Sequence, residues 1–398
     1  MTVFFRTILL AVVGVAAAII IGFSLQDSHA AVSRQTPPQS ALAATTSAPT
    51  VVMATSTAGA VATTTSQKPP IKVAKAPTGN TIPAKTASTP PPPPAAEAST
   101  PVSTGGPTAA PSEPAYSESA LNDKVRQSVV NILCISAGGK PVNSISGSGV
   151  IIDSRGVILT NAHVAQYFLL KNYPTPNNDD CTIRIGSPAK AAYKAELLFI
   201  PPAWITANAS EIIAANPSGN GEHDYAFLRI TGPADPSVSM PDSFPFLPIS
   251  VNPPDTGYSL LTAGYPAGFL GGSTILQNLY ASSAETTVGD LYTFGSGTID
   301  AFSVGGSIVA QPGASGGAVV DGNGVLVGIV VTSSTGDTTS ARDLHALATS
   351  YIINDFDTQA GGPLQAYLTG DLASRAVAFE NSFAPDLRQA LVNAIEGR

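Results

Sequence analysis

Three residues of this 398-residue sequence have the types and surroundings that nucleophilic catalysis requires. Ser315 lies in the glycine-rich stretch QPGASGG at residues 311–317, where a tight turn would expose the hydroxyl and direct neighbouring N–H groups at one oxygen atom. His163 follows the apolar run VILT, and Asp224 precedes the apolar run YAFLRI. The imidazole would serve as general base for the hydroxyl, and the carboxylate would orient the imidazole.

Each of these residues, taken alone, also fits an ordinary structural role. The serine stretch is consistent with a plain loop in a chain of 36 glycines, His163 with a packed core histidine, and Asp224 with an exposed strand cap. The other three histidines have weaker surroundings: His29 lies in the N-terminal segment, His223 in a polar stretch, and His345 outside any motif. The catalytic interpretation therefore depends on the three residues together.

The elements that must position these residues are short strands. Residues 128–135 and 150–160 are rich in β-branched side chains, and the second segment is a predicted hairpin that turns at DSRG. Another predicted hairpin turns at DGNG, shortly after the serine stretch. Helical spacing occurs at residues 204–215 and from residue 344 to residue 398. Many short strands without long helices between them predict an all-β domain, either a sandwich or barrels.

Composition and charge exclude several function classes. Charged residues make up 12% of the chain and the net charge is −8, which opposes phosphate binding and argues against a nucleic-acid partner. Four histidines and two cysteines are too few for a zinc-finger array or a disulfide scaffold. Cys134 and Cys181 leave two interpretations open, a disulfide in an exported protein or two buried free thiols.

The N-terminal segment, residues 1–30, directs the chain to a membrane. Residues 7–26 contain no charge and follow Arg6, and their length matches the ~30 Å hydrocarbon core of a bilayer. They are predicted to form an uncleaved transmembrane anchor, and a cleaved signal peptide ending at Ser28-His29-Ala30 is the alternative. Both interpretations place the rest of the chain outside the cytosol.

The next segment, residues 31–115, is predicted to be a disordered linker. It consists almost entirely of Ala, Thr, Ser, Pro, Val and Lys, and it has no aromatic residue. Such a composition buries too little apolar surface to offset the entropy lost on ordering.

Taken in order, three segments resemble the His, Asp and Ser regions of the trypsin-like (chymotrypsin-fold) serine proteases, nearest the Htr-type bacterial branch. They are SGSGVIIDSRGVILTNAHVA, HDYAFLRI and PGASGGAVVDGNGVLVGIV, and the resemblance covers residues 120–345. It implies two antiparallel six-stranded barrels with the site in the cleft between them. It also implies that Ser315 is the nucleophile, His163 the base and Asp224 the orienter. The N–H groups of Gly313 and Ser315 would form the oxyanion hole, with no metal or cofactor.

Substrate specificity can be predicted only from positions relative to the nucleophile. The resemblance assigns the walls of the S1 pocket to Val309, Ala310, Val331, Thr332 and Ser333. None of these residues is acidic, so we expect a small or medium apolar P1 residue in the protein or peptide substrate. Ala314 stands where digestive trypsin-like enzymes carry an Asp that pairs with a newly cut N-terminus. Without this carboxylate, we do not expect activation by insertion of a charged N-terminus.

The C-terminal segment departs from the Htr-type pattern. The 53 residues after His345 are too few for a PDZ domain of about 90 residues. We therefore predict a protease domain at residues 116–345 and a helical extension at residues 346–398, packed on the second barrel. The leading functional hypothesis is an exported, membrane-tethered serine endopeptidase; the alternative is a catalytically inactive trypsin-fold binding module on a stalk.

Overall fold

A computed structural model describes residues 71–72, 116–136, 142–175, 179–214, 217–295, 297–334 and 336–398. The apolar stretch at residues 7–26 lies outside these residues, as does the linker apart from strand β1 (Ile71–Lys72). No helix in the described part of the chain has the length and apolar character needed to cross a membrane. The N-terminal anchor and the disordered linker therefore stay predictions.

Six strands rich in β-branched and apolar residues form a closed antiparallel barrel. They are β2 (Val129–Ser136), β3 (Ile145–Asp153), β4 (Val157–Thr160), β5 (Asp179–Ile185), β6 (Lys190–Phe199) and β7 (Ala226–Pro233). They pair around the barrel in the order β2-β3-β4-β7-β6-β5. The first of the two predicted six-stranded barrels is thus confirmed, including the hairpin between β3 and β4.

The second half of the protein forms an eight-stranded antiparallel sheet instead of the second closed barrel that was expected. Besides β1, this sheet contains β8 (Ser259–Gly264), β9 (Ser282–Thr287), β10 (Leu291–Thr293), β11 (Ala301–Gly305), β12 (Ala318–Asp321), β13 (Leu326–Ser333) and β14 (Leu344–Ala348). The order across the sheet is β1-β10-β11-β14-β13-β12-β8-β9.

The short connection between β9 and β10 makes hydrogen bonds to both sides of the opening in this sheet. In that connection, the Val288 N–H donates to the Tyr258 carbonyl at 3.0 Å, whereas the Gly289 N–H donates to the Ser303 carbonyl at 2.8 Å. The chain therefore passes within a few residues from β9, at one edge of the sheet, to β10, the neighbour of β1 at the other edge. A second hydrogen bond accompanies each of these two hydrogen bonds, from the Gly257 N–H to the Val288 carbonyl at 2.7 Å and from the Ser303 N–H to the Asp290 carbonyl at 2.8 Å, but β9 and β10 are not paired with each other.

Helices flank the two sheets. They are α1 (Glu118–Ser128), α2 (Ala162–Ala165), α3 (Pro202–Asn208), α4 (Gly272–Gln277), α5 (Thr349–Ala360), α6 (Leu364–Thr369), α7 (Leu372–Ser382) and α8 (Ala384–Glu396), with 3₁₀ turns at Gln166–Leu170, Ala209–Ile213 and Thr339–Ala341. Helix α1 was not predicted, although Ser117 caps it by accepting from the Ala120 N–H at 3.3 Å. Its buried residues Leu121 and Val125 have the helical spacing that would have revealed it.

One expectation for the C-terminal region is wrong and another is correct only for helix α5. Residues 344–348 form strand β14 instead of helix, since they pair with β11 on one side and β13 on the other. Most of the contacts of the helices after them are with the first barrel, although helix α5 also contacts strands β13 and β14 of the second sheet. The Phe356 ring lies 4.8 Å from the Phe199 ring and 5.6 Å from the Phe227 ring, and the Tyr367 hydroxyl donates to the Leu198 carbonyl at 2.7 Å. Aromatic residues on β6 and β7 supply the apolar surface that these helices cover.

Candidate active site

Asp224 lies in a turn immediately before strand β7. Its N–H donates to the Gly221 carbonyl at 3.1 Å, and the side-chain amide of Asn161 donates to the Asp224 carbonyl at 2.8 Å. The residue is 5% exposed. A carboxylate with so little contact with water requires donors close by, because an unpaired buried charge is costly.

His163 supplies two donors to the Asp224 carboxylate, one from its backbone and one from its ring. Strand β4 ends at Thr160, Asn161 turns the chain, and the short helix α2 then presents His163 to Asp224. The His163 backbone N–H donates to Asp224 Oδ1 at 2.9 Å, and ring atom Nδ1 lies 2.7 Å from Oδ2. Since the carboxylate accepts, Nδ1 carries the proton and the neutral ring keeps a lone pair on Nε2. The structure therefore brings together two of the three predicted residues in the geometry of an oriented general base.

The environment of His163 changes its proton affinity. Burial acts to lower its pKa, but the charge of Asp224 and the hydrogen bond to it raise it, and the pKa lies above its ordinary value of 6.5. The side chain is 28% exposed, so a ligand can still reach it. The pairing stabilises the imidazolium, which is the form of the ring after it has accepted a proton.

The Ser315 turn leaves no room for side chains at two of its glycines. Gly313 has φ +94°, and a Cβ there would lie 2.7 Å from the Tyr265 carbonyl oxygen. Gly316 has φ +82°, and a Cβ there would lie 2.2 Å from the Ser148 carbonyl oxygen. Only glycine combines these left-handed conformations with such close backbone approach.

The backbone donors of this turn divide into two groups. The N–H groups of Ala314, Gly316 and Gly317 donate to the carbonyls of Gln311, Val330 and Ala314 at 3.1, 2.8 and 2.8 Å. Within the part of the chain that the structure covers, the N–H groups of Gly313 and Ser315 donate to no acceptor. Two free donors beside a serine hydroxyl are the arrangement that stabilises an oxyanion.

Ser148, a residue that the sequence analysis did not identify, joins the serine turn to the barrel. Its N–H donates to the Ser315 carbonyl at 2.8 Å, and its hydroxyl donates to the Gly313 carbonyl at 2.7 Å. Its own carbonyl accepts from the Thr160 hydroxyl at 2.7 Å. The backbone of Ser315 is therefore tied to the strand end that lies three residues before His163.

The Ser315 hydroxyl makes no hydrogen bond with His163 or with any other residue that the structure describes. Ser315 is partly exposed to solvent. Catalytic hydrogen bonds are often long without substrate and shorten in the complex. The site thus consists of a formed carboxylate–imidazole pair and a serine turn tied to the same strand end.

The predicted S1 residues occupy different environments. Val309 and Ala310 are fully buried, and the Ala310 carbonyl accepts from Arg342 Nη1 at 2.9 Å. Val331 is directed toward the Asp224 turn, since a Cβ on Gly221 would lie 3.3 Å from its Cγ2 atom. Thr332 and Ser333 belong to strand β13, and their side chains lie outside the described atoms. The role of all five in substrate binding stays a prediction.

Cys134 and Cys181 form a disulfide between paired positions of strands β2 and β5. The structure therefore decides between the two interpretations that the sequence left open. Among the residues described, no group of three His, Cys, Asp or Glu side chains lies close enough to hold a metal ion.

Comparison with known proteins gives one family match. Residues 147–329 match the family model of the trypsin-like peptidase domain. The crystal structure of the active form of the Rv3671c protease from M. tuberculosis is 18% identical to this chain, with a TM-score of 0.37 over 61% of this chain and 84% of that chain. The inactive form of the Rv3671c protease is also 18% identical, with a TM-score of 0.36 over 60% and 92%. No curated protein matches this chain.

Proposed function

We propose that this chain, whose residues 147–329 match the trypsin-like peptidase domain, is a serine endopeptidase that uses Ser315, His163 and Asp224. The observation that carries the proposal is the orientation of His163, whose ring and backbone both donate to Asp224 at 2.7 and 2.9 Å. The two unpaired N–H groups beside Ser315 support it. The assignment to the Htr-type branch stays a prediction.

The reaction has two steps of acyl transfer. Ser315 Oγ attacks the carbonyl carbon of the substrate, and its proton passes to Nε2 of His163. The N–H groups of Gly313 and Ser315 stabilise the oxyanion that forms, and Asp224 stabilises the imidazolium. The C–N bond then breaks as His163 donates the proton to the leaving amine. Water, activated by the same imidazole, hydrolyses the acyl-enzyme and restores Ser315.

A second function is favoured by one observation. Because the Ser315 hydroxyl makes no hydrogen bond to His163, the same fold is also consistent with an inactive module that binds peptides without cleaving them. The two functions differ in whether the hydroxyl reacts as a nucleophile.

Labelling with a fluorophosphonate probe separates the two functions. The full chain should incorporate one probe per molecule, Ser315→Ala none, and His163→Ala should react far more slowly, by a factor of about 10⁴–10⁶. Ser382→Ala, at an exposed position of helix α7, is the matched control and should label like the wild type. Absence of labelling in a folded wild-type chain would favour the inactive binding module.

We also propose that the peptidase acts outside the cytosol and is tethered by residues 7–26. The uncharged N-terminal stretch after Arg6 supports this, as does the Cys134–Cys181 disulfide, because structural disulfides persist in oxidising compartments. Cell fractionation tests it: the full chain should be recovered with membranes, whereas a chain lacking residues 1–30 should stay inside the cell. Recovery of both chains in the same fraction would contradict the tether.

A further inference from the structure

His223, the residue immediately before Asp224, has a left-handed backbone conformation. Its φ is +58°, and it is the one non-glycine residue with positive φ in the described part of the chain. A residue with a Cβ adopts this conformation at a cost in free energy, and the conformation persists only where its surroundings hold it. Strain of this kind beside the proposed orienter of His163 indicates that something must hold the turn in place.

Helix α5, outside the trypsin-like match, supplies the contacts that hold His223. The His223 N–H donates to the Tyr351 hydroxyl oxygen at 3.1 Å, and its ring atom Nδ1 donates to Asp355 Oδ2 at 2.8 Å. Tyr351 and Asp355 are four residues apart and share one face of the helix. The Asp355 side chain is 8% exposed, so the contact with His223 is largely shielded from water.

These contacts reach Asp224 through the backbone of the turn. The Tyr225 N–H donates to the His223 carbonyl at 2.8 Å, and the Asp224 N–H donates to the Gly221 carbonyl at 3.1 Å. The Asn161 amide donates to the Asp224 carbonyl. Helix α5 thus contacts the turn at His223, and Asn161 contacts it at the next residue, Asp224.

We propose that Tyr351 and Asp355 are positioning residues that hold Asp224 in its orientation toward His163 by fixing the conformation of His223. The proposal rests on the proposed function, since orientation of His163 is what a serine peptidase requires. It makes the C-terminal extension part of the active-site support instead of an appended element.

The charges around His223 make this support dependent on pH. Glu222 and Asp355 interact electrostatically with His223, whereas Tyr225 and Asp300 interact with its partners on helix α5, Tyr351 and Asp355. The hydrogen bond to Asp355 raises the pKa of His223 above 6.5, with the charges of Asp355 and Glu222 adding to it and burial opposing it. The ion pair therefore acts fully below pH 6.5 and is lost as pH rises through the raised pKa.

Substitution of Asp355 by Asn in the full chain tests the proposal. Asp355→Asn should lower kcat by about 10-fold, because a misplaced catalytic group slows the chemical step, while KM stays within about twofold. Asp357→Asn, the same change at an exposed position of the same helix, is the matched control and should leave both constants at wild-type values. Equal kcat values in the two variants would overturn the proposal.

His223→Asn is a second variant that should keep the fold, since asparagine tolerates the left-handed conformation and its amide can donate to Asp355. The Asn amide does not titrate. The wild type loses its His223–Asp355 ion pair as pH rises, whereas the variant has none to lose. The ratio of the His223→Asn kcat to the wild-type kcat should therefore increase as pH is raised from about 6 to about 9. A ratio that does not change with pH would overturn the proposal even where Asp355→Asn fails to fold.

A spectroscopic measurement separates this proposal from the proposed function. The NMR resonance of the His163 Nδ1 proton reports the hydrogen bond to Asp224 without any substrate. It should shift or broaden in Asp355→Asn and match the wild type in Asp357→Asn. An unchanged resonance in Asp355→Asn would refute the positioning role. Failure of Ser315 to label with fluorophosphonate would instead refute the peptidase function.

Discussion

At the scale of single residues, the orientation of Asp224 determines what His163 can do. One carboxylate oxygen accepts from the His163 backbone and the other from its ring, so the ring has one favoured position and one favoured tautomer. The same carboxylate raises the pKa of the imidazole against the effect of burial. Position, tautomer and basicity of the base thus all depend on one side chain.

Replacement of Asp224 by Asn should lower kcat by about 10⁴-fold, because the amide favours the wrong tautomer of His163. The volume of the side chain at position 224 stays nearly the same. Hydrolysis of a fluorogenic peptide measures this. Asp357→Asn is the control for a change of Asp to Asn without contact to the site. A loss below about tenfold in Asp224→Asn would show that Asp224 does not orient the base.

The pH dependence follows from the same pair. His163 must be neutral to accept a proton, so kcat/KM should rise with pH through a midpoint above 6.5, where the raised pKa lies. In Asp224→Asn only burial acts on the ring, and its pKa should fall below that of the wild type. An NMR titration of the His163 ring measures both midpoints, and a higher pKa in the variant would contradict the assignment of causes.

At the scale of elements, the serine turn depends on its contact with strand β3. The Ser148 hydroxyl and N–H bind two carbonyls of the turn, and Gly316 allows the Ser148 carbonyl to approach closely. The two free N–H groups of the turn are therefore arranged by a strand of the first barrel, although the turn belongs to the second sheet.

Gly316→Ala should unfold or displace this turn. The new Cβ would lie 2.2 Å from the Ser148 carbonyl oxygen at a residue with φ +82°, which should cost about 1–3 kcal/mol from backbone strain alone. Thermal unfolding and fluorophosphonate labelling should both show the loss. Gly362→Ala, where a Cβ would meet no atom within 4 Å, is the control. Normal labelling of Gly316→Ala would contradict the tight packing.

At the scale of the whole molecule, the C-terminal helices complete the core of the first barrel. The Phe356 side chain is fully buried among the rings of Phe199, Phe227 and Tyr367. Arg388, on the last helix, donates to the Leu169 carbonyl at 2.8 Å. Helix α5 thus joins the apolar core on one face to the His223 turn on another.

Phe356→Ala should lower the free energy of unfolding by about 3–5 kcal/mol, because it removes a buried ring and leaves a cavity. Denaturant unfolding measures the change. Val377→Ala, at a residue of helix α7 that is 60% exposed, is the control and should change stability by less than about 0.5 kcal/mol. Similar stabilities of the two variants would mean that the extension does not support the barrel.

The sequence by itself predicted the candidate site residues and the first antiparallel barrel. A serine among glycines, a histidine after one apolar strand and an aspartate before another are local patterns, and so are the β-branched runs that formed the barrel. The sequence also contains the cap residue and the apolar spacing of helix α1, which are sufficient to predict that helix. Only the tertiary structure decided the open second sheet, the position of the C-terminal helices and the contacts of Ser148 and His223. These depend on residues far apart in the chain, whose distances are set by packing and not by local propensity.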